Sequence, residues 1–142
     1  MEIQEISTFS GTYRWLSNFW PCTIYFEGEV YKSVEAAYVA SKTEDEELRL
    51  QIRNLETPGQ AKRFGYKLQL SNSWKAQRLE IMEYLLSQKF KPGSDLAKKL
   101  LATGSVELIE TNVWGDTFWG VCDGKGDNNL GKLLMKIRSE LK

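Results

Sequence analysis

There is no histidine anywhere in the chain. Its absence excludes a Ser-His-Asp triad, a Cys-His pair and nearly all catalytic zinc sites, which rest on imidazole. Acid–base work then falls to Glu, Asp, Lys, Tyr or Cys. Cysteine is almost as scarce: Cys22 and Cys122 match no metal-ligand spacing and read as two buried or inert thiols. Net charge is missing too, with 19 basic residues against 19 acidic ones. Without a global field the chain cannot hold a long polyanion, although a local basic pocket for one or two phosphates is still open to it. No apolar run approaches a membrane span, and Met1-Glu2-Ile3-Gln4-Glu5 lacks the apolar core of a signal peptide. The expectation is a cytoplasmic protein with no membrane partner.

What is present suits one soluble domain over residues 1–142: 42% hydrophobic and 27% charged residues, enough to build a buried core. Glu5 to Phe9 reads as a short edge strand. Ser10 to Pro21 is a loop in which Tyr13, Trp15, Phe19 and Trp20 alternate with polar residues. Its rings either wall a planar ligand or cap the core. Thr23–Phe26 and Val30-Tyr31 flank Glu27-Gly28-Glu29, a β-hairpin signal that runs directly into Ser33. Ser33 caps a helix reaching Lys42. Acidic residues from Glu44 open a second helix ending near Asn54, and Thr57-Pro58 opens a third ending at Gly65. After Ser71-Asn72-Ser73, Leu79, Met82, Leu86 and Phe90 mark the clearest amphipathic helix, stopped by Lys91-Pro92-Gly93. Ser94-Asp95 caps another, to about Gly104. Val106 to Ile109 alternates as a strand, and Leu130, Leu133, Leu134, Ile137 and Leu141 form a last helix. The fold class is mainly α: a single orthogonal helical domain with a small N-terminal β-hairpin or sheet.

Three constellations could carry chemistry. Glu35 and Lys42 are seven positions apart on one helix, which puts them within about 20° on one face and roughly 10 Å apart along the axis. They are either separately solvated charges or a carboxylate and an amine opening into one cleft wide enough for a sugar. Partial burial there would raise the carboxyl pKa and lower the amine pKa, suiting a general acid and a nucleophile. Second, Trp114 to Asn129 is rich in glycine and aromatics. Gly124, Gly126 and Gly131 could bring backbone amides to a phosphate at the last helix's N-terminus, or could simply form tight turns. Neither a Walker pattern nor a dinucleotide fingerprint is present. Third, Arg14, Lys62, Arg63 and Lys67 are either phosphate partners or solvated surface charges.

Taken together and in order, these residues resemble a known family. Leu16-Ser17-Asn18-Phe19, Ser33-x-Glu35 with Lys42, Thr57-Pro58 with Ala61 and Gly65, Trp74, Leu100-Leu101-Ala102-Thr103-Gly104, Asp116-x-x-Trp119-Gly120 and Gly126-x-Asn128-x-Leu130-Gly131 follow the NADAR superfamily, the YbiA-like N-glycosidases. The resemblance runs from about Phe9 to Leu141. It implies a metal-independent hydrolase that cleaves ribose C1′ from a base nitrogen. The substrate would be a riboflavin-pathway aminopyrimidine ribotide, a small-molecule ribosyl phosphate. Alternatively, as for other members, it would be an ADP-ribosylated guanosine, free or within ADP-ribosylated nucleic acid.

On that resemblance Glu35 is the general acid/base, Lys42 the imine-forming nucleophile or an anchor for phosphate or ribose, and Asp116 the acceptor of a ribose hydroxyl. Trp15, Phe19 and Trp119 hold base and ribose, backbone from Gly126 to Asn128 holds phosphate, and Arg14, Asn18 and Gly120 complete the binding set. The family's Ser-Glu-His reads Val34-Glu35-Ala36 here, and Tyr66 stands where many relatives have Arg. A module that binds ADP-ribose or NAD without cleaving it is the alternative function, and a purely structural partner protein the third.

Overall fold

The structure is a computed structural model that describes residues 4–141; Met1 to Ile3, the head of the acidic N-terminus, and Lys142 lie outside the described residues. Two compact units emerge, one spanning Asn18–Lys89 and the other joining Met1–Ser17 to Phe90–Lys142.

In the unit Asn18–Lys89, strands β2 (Pro21–Phe26) and β3 (Glu29–Ser33) pair antiparallel with Phe26 opposite Glu29. The turn is therefore two residues, Glu27-Gly28, and both have positive φ, at 47° and 87°. Such a turn matches the right-handed twist of the strands, which is why glycine follows directly on the polar residue. β3 passes without a linker into α1 (Val34–Ser41): Ser33 is extended and its Oγ accepts the Ala36 N–H. Nearly every α1 residue is buried, with Val34, Ala37, Val39 and Ala40 fully so. Small side chains allow this, because α2 (Glu46–Asn54), α3 (Pro58–Gly65) and α4 (Asn72–Lys89) all pack on it.

Buried Arg49 ties three elements together. Its Nε donates to the Ala40 and Thr43 carbonyls at the end of α1, its guanidinium pairs with Glu27 at 2.8 Å, and it lies over the Phe26 ring. The orphan carbonyls of a helix end thus find a cation. In α4 the inward row is Trp74, Met82, Leu85 and Leu86, while Leu79, expected on that stripe, is 43% exposed. Steps of four from Trp74 lead through Arg78 to Met82, so Leu79 falls on the flank.

In the other unit, β1 (Glu5–Ile6) pairs parallel with β4 (Glu107–Leu108). The expected loop from Ser10 holds instead a 3₁₀ turn over Gly11–Leu16, whose Trp15 and Leu16 are buried. Helix α5 (Asp95–Ala102) is capped by Ser94, and α6 (Asn129–Glu140) packs on β4 and α5. The fold is mainly helical with a small β part, as the sequence pattern required.

Candidate active site

Glu35 and Lys42 are both half-buried on α1, and the Glu35 carboxylate acts electrostatically on the Lys42 amine. The local sequence explains the placement. The Glu35 N–H donates to the Asn18 carbonyl at 3.1 Å, so the segment before β2 lies across the first turn of α1. At the other end Lys42 closes the helix as its C-cap. Its Nζ is 5.3 Å from the Tyr38 ring centroid and 5.7 Å from that of Trp74. Trp74 is held in place by its Nε1–H, which donates to Ser41 Oγ at 2.9 Å. On the α3 side, a Cβ at Gly65 would stand 3.3 Å from both Val39 methyls and 3.4 Å from Lys42 Nζ, so glycine eases the close approach of α3 to α1 here. Aromatic faces and a neighbouring helix thus strip water from the amine.

The electrostatic consequence follows. Burial pushes the Lys42 ammonium below the ordinary lysine range, Glu35 pulls it back up, and Arg78 and Lys62 lower it further. A larger share of neutral amine at a given pH results. Arg78 and Trp74 had no place in the charge and ring readings made from the residues alone. Arg78 carries a signal in hindsight, since it occupies the inward row of an amphipathic helix where an apolar residue belongs.

Phe19 is 38% exposed and carries Lys62 Nζ 5.9 Å over its ring. It also forms one wall of a cavity of about 180 Å³ with Ser33, Ala36, Ile52, Arg53 and Pro58 among its other walls. Ser33 and Ala36 belong to the same turn at the start of α1 as Glu35, although Glu35 and Lys42 do not line the cavity. Next to Phe19, Asn18 has its Nδ2 3.7 Å from Met82 Sδ, and its buried Oδ1 has no hydrogen-bond partner among the described residues. A buried acceptor without a donor is costly, and a ligand hydroxyl or amine would satisfy it.

The remaining candidates lie in the other unit. Trp15 is buried, edge-on to Phe90 with Lys99 over its face; it packs the core there and does not stand as an open wall. Arg14 sits exposed on the same 3₁₀ turn. Asp116 Oδ1 accepts the Phe118 and Trp119 N–H groups, Trp119 is edge-on to Phe118 at 4.8 Å, and buried Gly120 has no room for a Cβ against Glu110. Asn128, in the left-handed region, spends its whole amide on the Glu110 N–H and the Leu108 carbonyl.

Much of the backbone around the stretch from Gly126 to Asn128, expected to hold phosphate, is engaged within its own loop. The amides of Asp127, Asn128, Asn129 and Leu130 donate to the carbonyls of Thr117, Gly120, Phe118 and Trp119. Gly126 is required because the Gly120 carbonyl occupies the space its Cβ would fill. This glycine loop closes on itself, and those four donors are not available to a phosphate. Among the described residues no cluster of three or more His, Cys, Asp or Glu could hold a metal ion, and no helix is long and apolar enough to cross a membrane.

Comparison with known proteins places this geometry in context. The family model described as NADAR domain matches residues 7–142. A riboflavin biosynthesis protein of Vibrio vulnificus is 39% identical over 89% of this chain, which spans only 35% of that longer protein. N-glycosidase YbiA of Escherichia coli is 34% identical over 93% of this chain and 84% of its own length. The NMR structure of the E. coli protein YbiA superposes with a TM-score of 0.83 at 31% identity, covering 99% of this chain and 86% of that one.

Proposed function

Because the chain belongs to the NADAR family, we propose that it is an N-glycosidase that hydrolyses the bond between ribose C1′ and a base nitrogen in a phosphorylated ribosyl substrate. The observation that carries this reading is the Glu35–Lys42 pair, electrostatically coupled on one helix whose first turn also borders a cavity walled by Phe19. The base occupies the cavity against Phe19, and Asn18 Oδ1 accepts from a ribose hydroxyl or an exocyclic amine.

The chemistry balances with these two residues and water. The neutral Lys42 amine attacks C1′, the C1′–N bond breaks with its electron pair going to the base, and the ring oxygen leaves C1′ as the 4′-hydroxyl. The two amine protons end on the base and on that oxygen, relayed by Glu35. Water then adds to the imine carbon, freeing Lys42 and releasing the sugar as its aldehyde. The substrate is an aminopyrimidine ribotide or an ADP-ribosylated guanosine.

The test incubates the purified chain with both substrates and follows base release. Glu35→Gln should lower kcat about 10²- to 10⁴-fold with the fold intact. Borohydride added during turnover should trap a covalent adduct on Lys42. Normal release by Glu35→Gln overturns the acid–base assignment. Calorimetric binding of ADP-ribose with no release from either substrate points instead to a binding module.

A further inference from the structure

With the amides of Asp127, Asn128, Asn129 and Leu130 donating to carbonyls of their own loop, cationic side chains are the other groups suited to anchor a phosphorylated substrate. The Lys42 amine lies near one residue on each of two neighbouring helices: Gly65 on α3, and Trp74 on α4, whose ring centroid is 5.7 Å away. Lys62 is three positions before Gly65, and Arg78 four positions after Trp74. Residues at those spacings share a helix face, so both cations project from the faces that meet Lys42. Lys62 is further fixed by the Phe19 ring, which also walls the cavity at the first turn of α1.

Lys62 and Arg78 thus bring cations from two further helices to act on the Lys42 ammonium, against the pull of Glu35. A dianionic ligand group is attracted by all three cations. A guanidinium adds a planar fork that fits two phosphate oxygens, while an ammonium supplies a compact charge.

We propose that Lys62 and Arg78 form a phosphate clamp beside Lys42, making the phosphoryl group of the ribosyl substrate the chief determinant of specificity. Lys42 is thereby left to C1′ and does not double as the phosphate anchor. The clamp rests on the N-glycosidase reading for its substrate, although its binding arm can be read without turnover.

Two measurements test it. First, the ratio of kcat/KM for a ribosyl substrate with and without its phosphate is compared in wild type, Lys62→Gln and Arg78→Gln. Losing one charge-assisted contact should cut that ratio about 10- to 100-fold in each variant. Lys62→Arg should retain most of it. Second, Tm is followed against inorganic phosphate, with sodium chloride at equal ionic strength as the reference. Wild type should gain stability with phosphate, and the double variant Lys62→Gln/Arg78→Gln should not.

An unchanged ratio in both single variants overturns the clamp, as does an equal phosphate-dependent shift in wild type and the double variant. Should wild type release no base from any substrate, the N-glycosidase reading fails by itself. The phosphate titration then still decides for or against the clamp.

Discussion

At Lys42, burial is turned into reactivity. Tyr38, Trp74 and α3 exclude water from an amine that Glu35 alone would keep charged, and the net effect is a lowered pKa. Activity should therefore rise with pH as the ammonium loses its proton, and level off below the pH at which an exposed lysine does so. A kcat/KM profile checks this, and one that stays flat across that rise would remove the amine nucleophile. Lys42→Arg should abolish the borohydride adduct, because a guanidinium does not form the imine.

Lys89 titrates with a different consequence. It is 4% exposed at the end of α4, and burial pushes its pKa down to about 7, with Cys22 opposing. The unfolded chain keeps this proton up to its ordinary 10.5, so above pH 7 the unfolded state binds more protons and stability rises with pH. The slope from this one group reaches at most about 1.4 kcal/mol per pH unit. Cys22, whose thiol is raised by burial, works against it only as the pH passes the ordinary thiol value of 9.0. Urea unfolding between pH 7 and 9 should show the slope in wild type and lose it in Lys89→Met, which should also be the more stable protein at pH 6. Neither lysine announces its burial in the sequence, since a lysine in a helix is ordinarily a solvated one.

Elements were more legible than the contacts between them. Ser33, Asp45, Thr57 and Ser94 each accept backbone N–H groups at the helix starts where the sequence put them, or within two residues. At α3 a full capping box forms, with Gln60 bonding back to the Thr57 N–H. Thr57→Ala should cost about 1 kcal/mol in urea unfolding. Gly131 marks the limit of such local reasoning. Helix propensity alone would have Gly131→Ala stabilise α6 by about 1 kcal/mol. In the folded protein the added methyl meets the Leu108 carbonyl and the Asn128 amide, so the substitution should lower Tm. The same lesson holds for the loop from Asp116 to Asn129. A glycine pattern says where backbone can be approached closely, and only the fold shows that its own carbonyls make the approach.

For the whole molecule, charge balance has a direct outcome. With 19 charges of each sign, binding to unmodified single-stranded DNA at physiological salt should be negligible, which a polarization titration would reveal; submillimolar affinity would contradict it. Composition, periodicity and caps by themselves determined the helical class, the hairpin, the helix starts and the absence of imidazole chemistry, because each of these depends on neighbours along the chain. Glu35 and Lys42 could be put on one face for the same reason. Tertiary structure alone decided that Arg78 and Lys62 join them, that Trp15 packs into a core, that Asn18 presents a buried acceptor, and that the glycine loop consumes its own donors. Those outcomes depend on which distant segments come into contact. Pattern reports only that a side chain can be buried, whereas its partner, and hence its charge state, is set by packing between residues far apart in the chain.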